Sequence, residues 1–337
     1  MVANLHISIV LPAYNRKTYL IEGLKSIALQ SFTDWSLIVV DDGSIEDIET
    51  VVRDFSVQLR QQVQYIKQPN SGAGAARQRA LELCNGDAVA FMDSDDPWLP
   101  NHLADVAMVF REQPDCDWVG GPARIVDERS GLTVTENSYY RDGSRHPILS
   151  LEHINFDSYR LITDPNLFGC LIRSYLPGGI QASALRRRFY KKVRFLPVRL
   201  YDDTIFQLEC FARGAKLAML HSNQIIYRIH NNNLSFVGGD AISPERRIKG
   251  YQDAEAAFSY LYGVEGLNDK YREYVRDRIA NDLFWKLAPA LMEANRSKEA
   301  SQARMKALKL VGYRNLGMLK SLIAKGLKDI LGRRTNP

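Results

Sequence analysis

Apolar runs of strand length alternate with runs of helical apolar spacing throughout the first third of this 337-residue chain. The apolar runs are nearly continuous, which is typical of parallel strands buried on both faces. We predict strands at 5–11, 36–40, 63–66 and 88–92, and helices at 17–30, 45–61, 74–84 and about 99–110. This alternation predicts an α/β fold with a mostly parallel central sheet and helices on both faces.

The remainder of the chain has a less regular pattern. We predict a strand at 118–126, a helix at 201–213, and short strands at 215–220 and 225–229. From about residue 244 the apolar spacing is helical to the end of the chain. The pattern therefore predicts an α/β domain over residues 1–240 and a helical C-terminal region over residues 241–337.

Composition is that of an ordinary globular protein. Apolar residues make up 45% of the chain and charged residues 25%, which are usual values for a soluble domain. No apolar stretch of about 18 residues predicts a transmembrane helix, and the N-terminus lacks the features of a signal peptide. The four cysteines stand far apart without CxxC spacing, which favours reduced, buried thiols and a cytoplasmic location.

Positive charge is concentrated at the C-terminal end. Residues 296–337 contain 11 Lys and Arg against two acids, a net charge of +9, which leaves −4 for the preceding residues of a chain whose total is +5. Apolar residues at helical spacing over 316–331 predict a basic amphipathic helix within 314–334. Such a helix either lies peripherally on an anionic membrane, here the inner face, or packs on the core. The charge lacks the aromatic pattern of a nucleic-acid groove, so no nucleic-acid partner is expected.

An acidic tetrad, Asp93-Ser94-Asp95-Asp96, directly follows the fourth predicted strand. Three carboxylates this close repel one another, and burial raises their pKa values. A divalent cation such as Mg²⁺ or Mn²⁺ relieves both effects and is commonly shared between carboxylates and substrate phosphates. The tetrad therefore indicates a metal-assisted diphosphate site; the alternative is that Asp96 and Pro97 only cap the next helix.

Two more polar clusters lie near strand ends in the first half. The Asp-Asp-Gly-Ser cluster at 41–44 either accepts hydrogen bonds from a nucleoside or forms a simple turn in which Ser44 caps the following helix. The loop at 70–77 is rich in small residues and enters a helix, an arrangement that favours phosphate binding. It matches neither the GxGxxG nor the P-loop pattern. Its last residue, Arg77, either reaches a phosphate or orients an aspartate.

Two clusters in the second half carry candidate catalytic groups. Asp202 and Asp203 open the predicted helix at 201–213, where they either cap it or supply a general base for a substrate hydroxyl. His230 follows the strand at 225–229 and either faces a diphosphate or makes a structural hydrogen bond. Spacing alone leaves these alternatives open.

The order of these clusters resembles that of the family-2 inverting glycosyltransferases of the GT-A fold, and the matching segments lie at 11–15, 41–44, 70–77, 93–96, 202–203 and 227–230. The resemblance covers residues 5 to 236, and it implies a nucleotide-sugar half over 1–115 and an acceptor half over 116–240 that share one sheet. It also implies a nucleoside-diphosphate sugar as donor, with UDP-sugar as the default. The implied acceptor is a hydroxyl of a glycan or of a lipid-linked acceptor in cell-surface polysaccharide synthesis.

The resemblance also implies roles for matching residues. Nucleotide-sugar contacts are expected at Pro12, Tyr14, Asn15, Asp41, Asp42, Asn70, Gly72, Arg77, Asp93, Ser94, Asp95 and His230. Asp93 and Asp95 match the DxD motif, and together with His230 they are the candidate ligands of Mn²⁺ or Mg²⁺. Asp203 matches the general base, and Asp202 stands where the family more often has Glu. Gln78 departs from the Asn that commonly follows the Arg.

An inverting transfer is implied by this assignment. Asp203 would accept the proton of an acceptor hydroxyl as its oxygen attacks the anomeric carbon, while the nucleoside diphosphate leaves from the opposite face. Two other classes stay open. A sugar nucleotidyltransferase would want a Gly-rich loop after the first strand, and residues 11–16 contain no Gly. A catalytically inactive glycan-binding protein of the same fold is the second alternative.

Overall fold

A computed structural model describes residues 5–141, 143–198, 200–230, 233, 243–312, 317, 318 and 320. The chain divides into two compact units, an α/β unit over Met1–Gly239 and a helical unit over Asp240–Pro337. Apart from residues 317, 318 and 320, the basic segment at 314–334 lies outside the described residues.

The strands of the described residues all belong to the α/β unit. They are β1 Ile7–Ala13, β2 Trp35–Asp41, β3 Val63–Lys67, β4 Ala88–Phe91, β5 Trp118–Gly120, β6 Ala123–Asp127, β7 Leu132–Thr135, β8 Tyr140–Arg141, β9 Ser144–Arg145, β10 His153–Asn155, β11 Tyr159–Ile162, β12 Ser183–Arg186, β13 Leu217–Leu220 and β14 Ile225–Ile229.

The α-helices of the described residues occur in both units. They are α1 Lys17–Ala28, α2 Ile48–Ser56, α3 Ala73–Leu83, α4 His102–Glu112, α5 Leu167–Ser174, α6 Arg187–Tyr190, α7 Asp202–Ala212, α8 Pro244–Gly263, α9 Asp269–Asp282, α10 Ala288–Glu293 and α11 Ser297–Val311. Single turns of 3₁₀-helix lie at Pro147–Ser150 and Ile180–Ala182, and a π-helical turn at Leu283–Leu287 joins α9 to α10.

The main sheet confirms the predicted α/β class, and its topology is mixed. Its order is β10-β11-β13-β5-β12-β4-β1-β2-β3. The block formed by β3, β2, β1 and β4 is parallel, as the near-continuous apolar runs predicted. Beyond it, β12 lies antiparallel between β4 and β5, and β10 and β11 continue antiparallel. A smaller sheet has the order β14-β6-β7.

The parallel block positions the polar clusters. Strands β2 and β4 are buried at every position, and β1 is buried except at Pro12. Leu20, Leu24 and Ile27 on one face of α1 are buried in the same core. Because the strands are parallel, the residues that follow β1, β2 and β4 emerge at the same edge of the sheet, where ligands bind in open α/β sheets.

Three predicted boundaries are wrong for identifiable reasons. The single strand expected at 118–126 is two strands, since Gly121 and Pro122 separate β5 in the main sheet from β6 in the small one. Helix α2 begins only at Ile48, because the Asp47 carboxylate accepts a hydrogen bond from Thr50 N and caps the helix there. Helix α4 begins at His102, three residues later than expected.

The described part of the second unit is helical from α8 to α11, as the apolar spacing predicted. Among the described helices, none combines the length and the apolar character that a membrane span requires. The four cysteines lie in the α/β unit and are buried and unbridged, in agreement with the expected reduced thiols.

Candidate functional site

The acidic tetrad lies at the carboxyl end of β4, beside the end of β1. Oδ2 of Asp95 accepts a hydrogen bond from Arg16 Nη1 at 2.6 Å and lies 3.1 Å from His230 Nε2. Burial acts to raise the pKa of Asp95, but the His230 hydrogen bond and the Arg16 charge hold it below its usual range. The structure therefore brings His230, from the end of β14, onto the DxD motif.

Asp96 has a different environment from Asp95. Its Oδ1 accepts a hydrogen bond from Arg228 N at 3.0 Å, and its Oδ2 accepts one from Gln181 Nε2 at 2.9 Å. Burial raises the pKa of Asp96 well above its usual range, and the charges of its neighbouring aspartates add to the effect. The suggestion that Asp96 caps the next helix is wrong, because the N-cap position of α4 is Asn101.

Asp93 takes part in a buried charge bridge. Arg77 in α3 donates from Nη2 to Asp93 Oδ1 at 2.5 Å and from Nη1 to Asp202 Oδ2 at 2.6 Å. Burial raises the pKa of Asp202 to about 6, against the lowering effect of Arg77 and with a further contribution from Asp203. Of the two roles considered for Arg77, the observed contacts are those of a residue that orients aspartates.

Asp203 follows the bridge directly in the chain. It is half-buried in the first turn of α7, and its Oδ1 accepts a hydrogen bond from Thr204 N at 2.6 Å. Burial raises the pKa of Asp93, Arg77 opposes this, and the charges of Asp95 and Asp203 add to it. Asp203 therefore lies near enough to Asp93 for its charge to raise the pKa of Asp93, although 110 positions separate the two residues in the chain.

The close approach of α3 and α7 depends on Gly74. A Cβ atom at this position would lie 2.3 Å from Leu196 O and 2.9 Å from Asp202 Cβ, so no other residue fits without displacement. Gln78, one turn further along α3, accepts a hydrogen bond from Phe195 N at 3.0 Å. The residue that departs from the family pattern thus holds the segment leading into α7.

The acidic residues after β2 organise a loop. Asp42 accepts hydrogen bonds at Oδ1 from Ser71 N and at Oδ2 from Gly72 N, both at 2.8 Å. Asn70 Nδ2 donates to the Asp42 carbonyl at 3.0 Å. Gly43 has a positive φ of 81°, and a Cβ there would lie 2.8 Å from Asn70 N. Residues 42, 70 and 72, all predicted nucleotide-sugar contacts, therefore form one connected structure.

Asp41 lies deeper than Asp42. It is fully buried, and it accepts hydrogen bonds from Ser44 N at 2.8 Å and from the Tyr65 hydroxyl at 2.7 Å. Burial raises the pKa of Tyr65, and the hydrogen bond to Asp41 adds to this effect. These contacts make Asp41 a support of the turn after β2.

The end of β1 contributes the remaining predicted nucleotide contacts. Pro12 is the only β1 residue that is not fully buried, and the side chain of Tyr14 is 48% exposed. Asn15 N donates to Ser44 Oγ at 2.7 Å, and Asn15 Oδ1 accepts a hydrogen bond from Ile45 N at 2.9 Å. Ser44 thus joins the segment that follows β1 to the cluster at 41–44. The expectation that Ser44 caps α2 is wrong, because Asp47 is the cap of that helix.

Sequence reasoning did not select several residues that complete this edge. Arg16 directly follows the segment 11–15, and this position is the only feature of the sequence that points to a role for it in the site. The Tyr19 ring stacks on the His230 ring with centroids 4.9 Å apart, and the Tyr19 hydroxyl donates to Glu128. Tyr19 lies in the first turn of α1, and no local pattern distinguishes it from an ordinary helix residue. Gln181, which donates to Asp96, lies in the 3₁₀ turn Ile180–Ala182 and has no local sequence signal of its own.

The side chains of the acidic tetrad can be tested as ligands of a divalent cation by the type of atom that they offer. Among the described residues, no three His, Cys, Asp or Glu side chains are arranged to hold a metal ion. Carboxylate oxygens from Asp93 and Asp95 nevertheless are the ligands that Mg²⁺ and Mn²⁺ prefer. The raised pKa values of Asp93 and Asp96 reflect, beyond burial, mutual repulsion that a cation would relieve. The tetrad therefore suits a cation that draws further ligands from a phosphate.

Comparison with known proteins identifies the N-terminal half. Residues 8–168 match the model of the family described as glycosyl transferase family 2. The chain spans 32%, 74% and 66% of the lengths of three curated relatives, to which it is 25–26% identical. The third is the succinoglycan biosynthesis protein ExoW of Rhizobium meliloti, matched over 220 residues and 63% of this chain.

Solved structures agree on the fold. TarS of S. aureus, in complex with UDP-GlcNAc, superposes with a TM-score of 0.64 at 18% identity, over 92% of this chain and 82% of that one. The mannosyltransferase PcManGT of Pyrobaculum calidifontis, in complex with GDP-Man and Mn²⁺, superposes with a TM-score of 0.55 at 15% identity, over 97% and 81%. The architecture is that of the GT-A glycosyltransferases.

Proposed function

We propose that the protein is an inverting glycosyltransferase that uses a nucleoside-diphosphate sugar, because residues 8–168 match the model of glycosyl transferase family 2. The acceptor is a hydroxyl group of a glycan or a lipid-linked glycan in cell-surface polysaccharide synthesis. The succinoglycan biosynthesis protein among the relatives supports this process. The donor is a UDP-sugar by preference, in keeping with the UDP-GlcNAc complex of TarS.

The observation that carries the proposal is the convergence of two acidic groups at one edge of the sheet. The DxD motif follows β4, and Asp203 opens α7 directly after Asp202, which shares Arg77 with Asp93. An inverting transfer needs a leaving-group site and a base on opposite sides of one sugar ring. This edge supplies a carboxylate for each.

Asp203 is the general base in this proposal. Asp202 is committed to the Arg77 bridge, and its side chain is only 8% exposed. Asp203 is half-buried, which leaves part of its carboxylate accessible to an acceptor hydroxyl. It would accept the hydroxyl proton as the oxygen attacks the anomeric carbon.

Asp95 would hold a divalent cation, with Asp93 and His230 as additional candidates. When bound, the cation would neutralise charge on the leaving diphosphate. The complex of PcManGT with Mn²⁺ supports a divalent metal ion, either Mn²⁺ or Mg²⁺, at this position. Arg16 supplies a positive charge beside Asp95 from the chain itself, and His230 Nε2 lies 3.1 Å from the same carboxylate oxygen.

The nucleoside would bind against the residues that follow β1 and β2. Tyr14 offers an exposed aromatic ring, and Pro12 and Asn15 flank it. Asp42 and Asn70 define the loop on the other side. A lipid-linked acceptor would agree with a peripheral membrane position, which we assign to the basic segment at 314–334.

Nucleoside diphosphate release tests the proposal. The protein is incubated with UDP-, dTDP- and GDP-sugars in the presence of Mn²⁺, Mg²⁺ or EDTA, and the same assay is run on Asp203→Asn. We expect one donor, a UDP-sugar, to release its nucleoside diphosphate in a metal-dependent way. This release should be lost in the Asp203→Asn variant. Absence of release from every donor, together with absence of donor binding by calorimetry, would overturn the proposal.

A further inference from the structure

We propose that Arg77 is a positioning residue that holds the N-terminus of α7, and with it the base Asp203, against the acidic tetrad. This inference rests on the proposed function. It replaces the expectation that Arg77 contacts the diphosphate of the donor with a role inside the protein.

The two ends of the guanidinium serve different elements. Nη1 binds Asp202 Oδ2 at 2.6 Å, and Nη2 binds Asp93 Oδ1 at 2.5 Å. Asp202 belongs to α7, Asp93 follows β4, and Arg77 lies in α3. One planar side chain therefore links three elements. A lysine, with a single nitrogen, cannot reproduce this two-sided geometry.

The guanidinium is enclosed rather than presented to a ligand. The Arg77 side chain is 7% exposed, and that of Asp202 is 8% exposed. The Nε atom of Arg77 is buried and has no hydrogen-bond partner among the described residues. A buried donor without a partner costs free energy. The guanidinium accepts this cost at Nε and is therefore oriented by its contacts with the two carboxylates.

The surroundings of the bridge fix its position. A Cβ at Gly74 would lie 2.9 Å from Asp202 Cβ, so α3 and α7 are in direct contact beside the bridge. The Arg77 Cζ atom lies 5.9 Å from the centre of the Phe195 ring, which stacks on Phe206 of α7 at 4.0 Å. Arg77 is thus held from the side of α7 as well as from the tetrad.

The consequence for catalysis is a requirement on distance. Asp203 follows Asp202 in the chain, so a shift of the Asp202 carboxylate moves the base relative to the donor. A misplacement of about 1 Å lowers rates by about 100-fold. Loss of the Asp202 end of the bridge should therefore lower kcat, while donor affinity should change little as long as Arg77 keeps its contact with Asp93.

The test compares Arg77→Lys, Arg77→Met and Asp202→Asn with wild type in the full-length chain. Arg79→Lys is the matched control, since Arg79 lies on the same helix with a side chain that is 54% exposed. We expect kcat to fall about 10- to 100-fold in Arg77→Lys and in Asp202→Asn. In Asp202→Asn, which leaves the contact of Arg77 with Asp93 in place, the donor dissociation constant from calorimetry should stay within about threefold of wild type. The control should retain full activity. Melting temperatures identify variants that fail to fold.

The double variant Arg77→Met with Asp202→Asn separates a shared bridge from independent effects. If both residues act through one bridge, its loss of kcat should not exceed that of the worse single variant. Multiplying losses would overturn the inference. If both Arg77 variants unfold, Asp202→Asn carries the test with the same expected pattern of lower kcat and unchanged donor affinity.

Two further results are decisive. A donor affinity that falls in parallel with kcat in Asp202→Asn, which leaves Arg77 and its contact with Asp93 in place, would overturn the positioning role. An active wild type with fully active Arg77 variants would overturn this inference alone. A wild type that transfers no sugar from any donor would overturn the proposed function and the inference with it.

Discussion

His230 Nε2 lies 3.1 Å from Asp95 Oδ2, although the two residues are 135 positions apart in the chain. Arg16 Nη1 binds the same oxygen at 2.6 Å. A carboxylate with two such partners has a fixed orientation, which would suit the proposed coordination of a cation from one direction. The pairing makes Asp95 the first position at which to test the donor site.

Replacement of Asp95 by Asn should weaken metal-dependent donor binding. Loss of a charged interaction of this kind costs about 1.5–3 kcal/mol, or roughly 10- to 100-fold in affinity. Calorimetry with a UDP-sugar in Mn²⁺ and in EDTA measures the effect. Asp54→Asn, at a side chain that is 67% exposed, serves as control. Equal affinities of the Asp95 variant and wild type in Mn²⁺ would exclude the metal role.

Replacement of Asp203 by Asn should lower kcat by about 10²–10⁴-fold, the usual contribution of a positioned general base. Donor affinity should remain within about twofold, because the neutral amide occupies the same space without accepting a proton. Asp269→Asn is a matched control, since Asp269 also lies in the first turn of a helix. A variant with near-normal turnover would assign the base elsewhere.

Replacement of Gly74 by Ala should destabilise the α/β unit. The new Cβ would lie 2.3 Å from Leu196 O and 2.9 Å from Asp202 Cβ, and overpacking of this kind costs about 1–3 kcal/mol. Gly263→Ala is the control, because no atom lies within 4 Å of its added Cβ. Urea unfolding compares the two variants, and equal stabilities would contradict the close approach of α3 and α7.

His102 should make stability depend on pH below neutrality. Burial lowers its pKa from 6.5 to about 4, although its hydrogen bond with Gln224 opposes this. Between these values the unfolded chain binds a proton that the native protein does not. Stability is therefore complete above pH 6.5 and falls as the pH is lowered toward 4.

For His102 the expected loss between pH 7 and pH 5 is about 2 kcal/mol. Urea unfolding of wild type and His102→Gln at both pH values measures it. All other titrating groups are common to the two proteins, so the difference between their pH dependences isolates His102. An identical fall in the free energy of unfolding in both proteins would show that His102 does not contribute.

Removal of the chain from Arg314 onward should weaken binding to anionic liposomes. The removed segment contains six Lys and Arg residues, and each is worth about 1 kcal/mol near an anionic leaflet. Flotation of the full chain should be lost in high salt and absent with neutral phosphatidylcholine. Equal flotation of the full and shortened chains would dismiss the membrane role of this segment.

Local pattern was sufficient for the parallel block of the sheet. Strands that are apolar on both faces and helices with 3.6-residue spacing have signals within one window of sequence, and β1 to β4 and α1 to α4 appear where these signals lie. The insertion of β12 between β4 and β5 has no such signal, because pairing between distant strands is decided by the packing of the whole sheet.

The candidate site divides in the same way. The tetrad and the cluster at 41–44 could be found because each is a short acidic motif after an apolar strand. The Arg77–Asp202 contact could not, since its partners are 125 positions apart and each has an ordinary local explanation. The role of Asp96 could not be predicted for a related reason, because its partners Gln181 and Arg228 lie far along the chain.

The hydrogen bonds of Asp42 have a thermodynamic consequence for the loop at 70–72. Ser71 N and Gly72 N are bound to its carboxylate, so contacts within the chain hold this backbone in place. Binding of a ligand against an ordered loop costs little conformational entropy of the loop. Ordering a flexible loop on binding would cost about 1–2 kcal/mol per residue. We therefore expect a nucleotide that binds at this edge to meet a loop whose backbone is held in place beforehand, and not to order that loop on binding.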